Sequence, residues 1–489
     1  MTMHIRNSTP PGRREGARAP VRFALASVCA ALGFAAACHL LDISNPDVVP
    51  AGTLTGAANL PTIRGGAIGD FALAYSGSGA TGSQGTIEGQ IMVSGLLSDE
   101  WINTETFPDR VQVDARQTDP TSGTMAGVFT TLARARVSTE YGVAQFRQFA
   151  DTTTNTGLSE LLSLNGFTYL MFAENYCSGV PFDNPQPDGT VIFGQPLTTM
   201  RMLDTALNRF NQAIATAKVL PVAQQPPFLR LAAIGKARAL LDEGLDSIAD
   251  TVVSAANVPT GFSYVIQHDL TSLRQQNGVF AGDAKYKRYG VADKEGGNGI
   301  PWRSSPDPRT PFFRKPATNK GFDNSTPQYD EYRYIDERAS VTLATGAEAR
   351  LINAEAALQR GDTVTFLAIL NGLRAAPPPY FLVGDTTGLT STVAPLSPLA
   401  SPTSDTAAVS LLFNERAHWL WLTGHRLNDL RRLVRTKGVR GGFGRAVNSV
   451  FPTGPYFKNG LTYGNDVNLP VPVTEQNNPN FQQCLDRLP

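Results

Sequence analysis

Apolar residues recur at steps of three and four over much of the chain, the spacing that lines one face of an α-helix. The pattern predicts helices over residues 60–75, 89–97, 125–150, 158–176, 199–219, 227–256, 346–373 and 411–435. In 199–219 the buried face is Leu203, Ala206, Leu207, Phe210 and Ile214. In 346–373 a glycine stop at Gly361 and a capping carboxylate at Asp362 divide the stretch into an αα-hairpin. Two long stretches have no such period. Residues 377–406 are rich in Pro, Ser and Thr. Residues 259–342 combine Gly, Pro, Asp and Asn with many aromatic residues. Long ordered loops in a helical protein are a usual place for function. The pattern therefore predicts a mainly α protein with a loop-rich binding region at about 259–342.

The stretch 411–435 reads as one long helix with Phe413, Ala417, Leu420, Gly424, Leu427, Leu430 and Val434 on its apolar face. Gly424 on that face would let a neighbouring helix approach. Arg426–Asp429 and Asp429–Arg432 are spaced as ion pairs along its flanks. Its residues Glu415, Arg416, Leu420, Gly424, Arg426, Asp429, Leu430 and Arg432 stand in the register of the C-terminal signature helix of the SusD/RagB family. The chain thus resembles that family of nutrient-binding outer-membrane lipoproteins. Trp419 and Thr423 depart from it, standing where the family has glutamates, which puts the helix's ion-pair network in question. Other segments share the resemblance: Gly179-Val180-Pro181, the run Ala354, Glu355, Ala356, Gly361, Leu370, Asn371 and Arg374, the pair Asp307 and Arg309, and Pro470, Pro472, Glu475, Asn478 and Pro479 in the tail. The resemblance implies a SusD-like α/α fold of tetratricopeptide-like helical hairpins. It also implies a SusC-like TonB-dependent outer-membrane β-barrel as partner.

The N-terminus reads as a targeting segment. Arg13, Arg14, Arg18 and Arg22 precede an apolar run over 23–37, and Ala35-Ala36-Ala37 lead directly to Cys38. Residues 1–37 are expected to be a signal peptide, and Cys38 a lipidated cysteine at the head of a tether over 38–58. Ala35 replaces the usual leucine of a lipobox, and Ala35-x-Ala37 also suits an ordinary signal peptidase cutting the same bond. Residues 59–489 are then one domain. The expected location is the outer membrane, lipid-anchored and facing the exterior.

Composition narrows the chemistry. The formal net charge is zero and 17% of residues are charged, so nothing suggests a nucleic-acid partner. No CxxC pair or Cys/His cluster occurs, and neither a metal nor a cofactor is expected. Cys177 and Cys484 are left either to pair in an oxidising compartment or to remain two buried thiols. No G-x-S-x-G or H-E-x-x-H occurs among residues holding only five histidines, and His425 and Asp429 read as a structural pair. The sequence reads as a binding protein and not as an enzyme.

The expected ligand is an oligosaccharide, held by aromatic rings stacked on its C–H faces and by polar groups aimed at its hydroxyls. The candidates are aromatics in polar loops: Trp302 first, in GNGIPWRSSPDPR with Asn298 and Arg303 beside it, then Trp101 in WINTETFPDR, Tyr329 and Tyr332. The rivals are a peptide ligand, a glycan-degrading enzyme and a scaffold without a small ligand.

Overall fold

The computed structural model describes residues 54–81, 85–186, 190–313, 318–378 and 393–489. The expected signal peptide, Cys38 and nearly all of the tether lie outside the described residues. Helices dominate: α1 (Leu60–Ser76), α2 (Gln90–Leu97), α3 (Pro108–Asp114), α4 (Gly123–Phe149), α5 (Gly157–Asn175), α6 (Thr199–Ala217), α7 (Gln225–Glu243), α8 (Asp246–Val252), α9 (Gly346–Gln359), α10 (Thr363–Ala375), α11 (Asp405–Trp419) and α12 (Arg426–Val434). Several starts are fixed by side-chain caps, which satisfy amide groups that the first turn leaves without a partner. Ser122 accepts from Met125 N, Thr198 from Arg201 N, Thr345 from Glu348 N, Asp362 from Thr365 N and Ser404 from Ala407 N.

Successive helices pack on one another from α4 through α10, and α1 packs against α4. The result is a mainly α scaffold of helical hairpins within the compact unit Thr55–Pro489. The expected helix over 227–256 divides into α7 and α8 at Gly244, whose φ of 80° ends the first. The loop-rich region leaves and rejoins the scaffold through the antiparallel strands Ser263–Ile266 and Val341–Thr345. Within it, Tyr289–Val291 pairs antiparallel with Trp101–Asn103. That short sheet brings the centre of the loop region against the segment leading into α3.

The predicted single helix over 411–435 is two helices, α11 and α12, with a turn between them. Leu422 has φ 54° and Gly424 has φ 74°. A β-carbon at Gly424 would meet its neighbours only at ordinary van der Waals distance, 3.7 Å from Ile91. The glycine therefore serves the left-handed turn and not a close helix contact. What outweighs helical continuity is the set of partners waiting for the turn's backbone. Glu100 Oε1 accepts from Leu422 N at 2.9 Å. Arg333 Nη1 donates to Trp421 O at 2.6 Å, Tyr334 OH to Leu422 O at 2.9 Å and Tyr75 OH to Thr423 O at 2.9 Å.

The charged residues of this segment are buried, not arrayed on exposed flanks. Arg416 holds Asp429 at 2.8–3.0 Å, and Arg426 holds Asp99 at 2.6 and 2.8 Å instead of Asp429. Arg432 pairs with Glu355, while Arg309 and Arg374 both reach Glu415 at 2.7 Å. Trp419 Nε1 also donates to Glu415, at 3.2 Å. His425 faces Glu348 at 3.0 Å rather than Asp429. Cys177 and Cys484 are joined by a disulfide across 307 positions of sequence, fastening the tail to the end of α5.

Candidate functional site

Trp101 and Trp302 do not present a face to solvent, which corrects the expectation that they stack on a ligand. Their exposures are 0% and 1%. Trp302 Nε1 donates to Asp99 O at 2.5 Å, and its ring packs near His418 and Trp421 at 5.3 and 6.0 Å. The polar neighbours that suggested a loop aromatic are real, but the indole is the part turned into the core. Asn298 is also committed to structure, with Nδ2 donating to Asn448 O at 2.6 Å and Phe451 O at 3.1 Å. The other candidates do come together. Arg303 lies over the Tyr329 ring at 3.9 Å, and Tyr329 meets Phe312 edge-on at 6.3 Å. Tyr332 and Phe313 form an exposed pair 6.4 Å apart beside them.

A second exposed aromatic pair was not anticipated. Phe107 and Phe322 are 45% and 49% exposed, with ring centroids 6.2 Å apart and planes tilted by 31°. Phe107 ends the polar stretch WINTETF that drew attention to Trp101. It caps α3 just before Pro108, where the chain turns outward. Phe322 sits in a Gly-Phe-Asp-Asn turn. That turn is seated directly on the segment before Phe107. Phe322 N donates to Lys287 O at 2.8 Å and Asp323 N to Thr104 O at 3.0 Å. A β-carbon at Gly321 would lie 2.4 Å from Thr104 O, so only glycine permits this approach. The readable signal was an aromatic residue followed by turn formers, a pattern shared by FPD and FDN.

Charged groups stand beside the pair. The guanidinium carbons of Arg110 and Arg288 lie 5.2 and 5.7 Å from the Phe107 ring centre. Arg288 also lies 5.7 Å from the Tyr286 ring. Arg110 contacts Glu88 at 2.7 Å and Glu105 at 3.1 Å, and Arg288 approaches the same two carboxylates at 3.8 Å. Burial works against ionising Glu88, but Arg110 and the hydroxyls of Thr86 and Tyr289 hold its carboxyl below the ordinary range. Burial raises the carboxyl of Glu105 in spite of the two arginines. A cavity of about 210 Å³ opens here, lined by Thr81, Thr86, Glu88, Arg110, Thr124 and Arg288 among others. It offers hydroxyls, the Glu88 carboxylate and two guanidinium groups, and those guanidinium groups adjoin the Phe107 ring. A larger cavity of about 510 Å³ lies where Ile214, Leu229 and Val252 meet, but no aromatic ring lines it. Among the described residues no group of three or more His, Cys, Asp or Glu is placed to hold a metal. No helix among them is long and apolar enough to cross a membrane.

No protein-family model matches the chain, and no curated protein matches it. Solved structures do. A surface glycan-binding protein A from Bacteroides uniformis aligns with a TM-score of 0.60 at 14% identity, covering 87% of this chain and 99% of that one. A SusD superfamily protein from Bacteroides thetaiotaomicron aligns at 0.59 and 14% identity, covering 88% and 100%. A laminarin-binding SusD-like protein aligns at 0.58 and 13% identity, covering 88% and 99%. The fold of this chain is the SusD fold: mainly α, with tetratricopeptide-like helical hairpins.

Proposed function

We propose that the chain is a SusD/RagB-type surface protein that captures a saccharide on the Phe107–Phe322 pair. The observation that carries this reading is two solvent-facing rings set beside a cavity of hydroxyls and paired charges. Sugars present flat C–H faces ringed by hydroxyls, and such a surface matches both features. The fold shared with proteins described as glycan-binding and laminarin-binding supports the same assignment. Arg303, Tyr329 and Tyr332 supply a second contact for a longer chain. The protein binds and releases its ligand unchanged. By the resemblance it works as an outer-membrane lipoprotein, exported by residues 1–37 and anchored through acylated Cys38. It passes its ligand to a SusC-like TonB-dependent barrel.

The test is electrophoresis through gels containing laminarin, amylopectin, xyloglucan or polygalacturonate. Retardation by at least one of them, reduced in a Phe107→Ala/Phe322→Ala double variant, is the expected result. Free migration in every gel, with binding to peptides instead, would contradict the saccharide reading.

A further inference from the structure

Lys458 reaches both of the segments that carry the Phe107–Phe322 pair. Its Nζ donates to Asn103 O at 3.0 Å and Glu105 O at 2.8 Å, and contacts Asp323 Oδ2 at 2.7 Å. One ammonium therefore ties the segment bearing Phe107 to the turn bearing Phe322. Asp323 in turn accepts from Ser325 N and Thr326 N, each at 2.8 Å, so the turn is fixed from within. The residue next to Lys458 is Phe457, and it is 48% exposed. The same ammonium lies 5.8 Å from the Phe457 ring centre.

Phe457 is not a ring on a loose loop. Pro455 and Thr462 form an antiparallel bridge, and Tyr456 N donates to Leu461 O at 2.9 Å. Asn459 and Gly460 turn the chain with φ of 60° and 64°. Tyr456 beneath is buried, its hydroxyl donating to Asp114 at 2.6 Å and its ring 4.6 Å from that of Phe457. A large apolar side chain held rigidly in water has lost its freedom before any partner arrives, which favours binding.

We infer that Phe457 forms an outlying subsite of the same surface, so that the ligand is an extended saccharide chain spanning Phe107, Phe322 and Phe457. This inference rests on the saccharide reading above. Three chain segments, each with one exposed phenylalanine, are gathered about a single lysine, and no packing role among the described residues accounts for leaving all three rings in water.

The experiment is calorimetry with oligosaccharides of two to eight units, cut from whichever of the four polysaccharides retards the wild-type protein. Wild-type affinity is expected to rise with chain length. Phe457→Ala, an exposed change, is expected to lose about three- to tenfold for the eight-unit chain, the range of one aromatic contact. Its loss for the two-unit chain is expected to be under about twofold on the same scale. Equal affinity of variant and wild type at every length would overturn the inference and leave the saccharide reading standing. So would an equal loss at two and eight units. A wild-type protein that none of the four polysaccharides retards would remove both.

Discussion

Phe107 and Phe322 keep apolar ring area in water, and burying it against a sugar face is the favourable step available to them. Each single change to alanine is expected to weaken saccharide binding about three- to tenfold, the value of one aromatic contact. Thermal stability should stay within about 0.5 kcal/mol of wild type, because an exposed ring contributes little to the fold. Trp302→Ala should behave in the opposite way. It empties a fully buried site and is expected to cost about 3–5 kcal/mol in a denaturant titration. Its effect on affinity should be no larger than the unfolded fraction explains. At this scale the sequence was only half legible. A polar neighbourhood marks where a loop aromatic stands, and Trp101 and Phe107 share one such stretch. Which ring faces out depends on what lies beneath it, and for Trp302 that is Asp99, His418 and Trp421, far away in sequence.

The turn between α11 and α12 shows what holds the elements together. Buried arginines from this segment reach Asp99, Glu355 and Asp429, and Arg309 and Arg374 come in to Glu415. Asp99→Ala would leave Arg426 as a buried charge without its partner, and is expected to cost about 3–5 kcal/mol. The exposed pair Arg201–Asp204, 3.7 Å apart, is the control, and Asp204→Ala should cost less than about 1 kcal/mol. A pH dependence follows from Glu100 and Glu331. Burial pushes both carboxyls up to about 8, and the second oxygen of each has no hydrogen-bond partner among the described residues. Between pH 6.5 and 8 the folded state retains protons that the unfolded chain has released, so stability falls as pH rises. Below that window His418 and His425, whose pKa values burial lowers, act in the opposite direction. The urea midpoint is expected to drop from pH 6.5 to pH 8, with a shallower drop in Glu100→Gln; a midpoint that climbs over this range would contradict the assignment. Helix existence was legible from periodicity. The break at 420–425 was not, because the partners of its backbone, Glu100, Arg333, Tyr334 and Tyr75, lie far away in sequence. Motif residues of three separated segments, Arg309, Glu355 with Arg374, and Glu415 to Arg432, meet in buried ion pairs, so their charge reads as surface polarity in sequence and becomes core in the fold.

In the whole molecule, the disulfide and the tail close the chain on itself. Cys177 N donates to Leu469 O, and Leu485 N to Ser178 O, each at 2.8 Å. A link across 307 positions restricts the unfolded chain strongly, on the order of 5 kcal/mol in the loop-entropy account. Cys484→Ser is therefore expected to lower the denaturation midpoint clearly. It should leave saccharide affinity within about twofold, since the tail takes no part in the proposed surface. The mainly α architecture was readable in the sequence because the helical period lies in the chain's own apolar positions, although overall identity to the solved structures is only 13–14%. The proposed surface was not, because its three phenylalanines come from segments more than a hundred residues apart, joined by the Phe107–Phe322 ring contact, by the Asp323–Thr104 backbone bond and by Lys458. The central claim is where a sugar sits. A crystal structure of the protein soaked with an oligosaccharide from the polysaccharide that retards it tests this most directly. The account predicts sugar rings against Phe107 and Phe322, with hydroxyls directed at the Arg110 and Arg288 side. A sugar held elsewhere, with both rings still open to solvent, would contradict it.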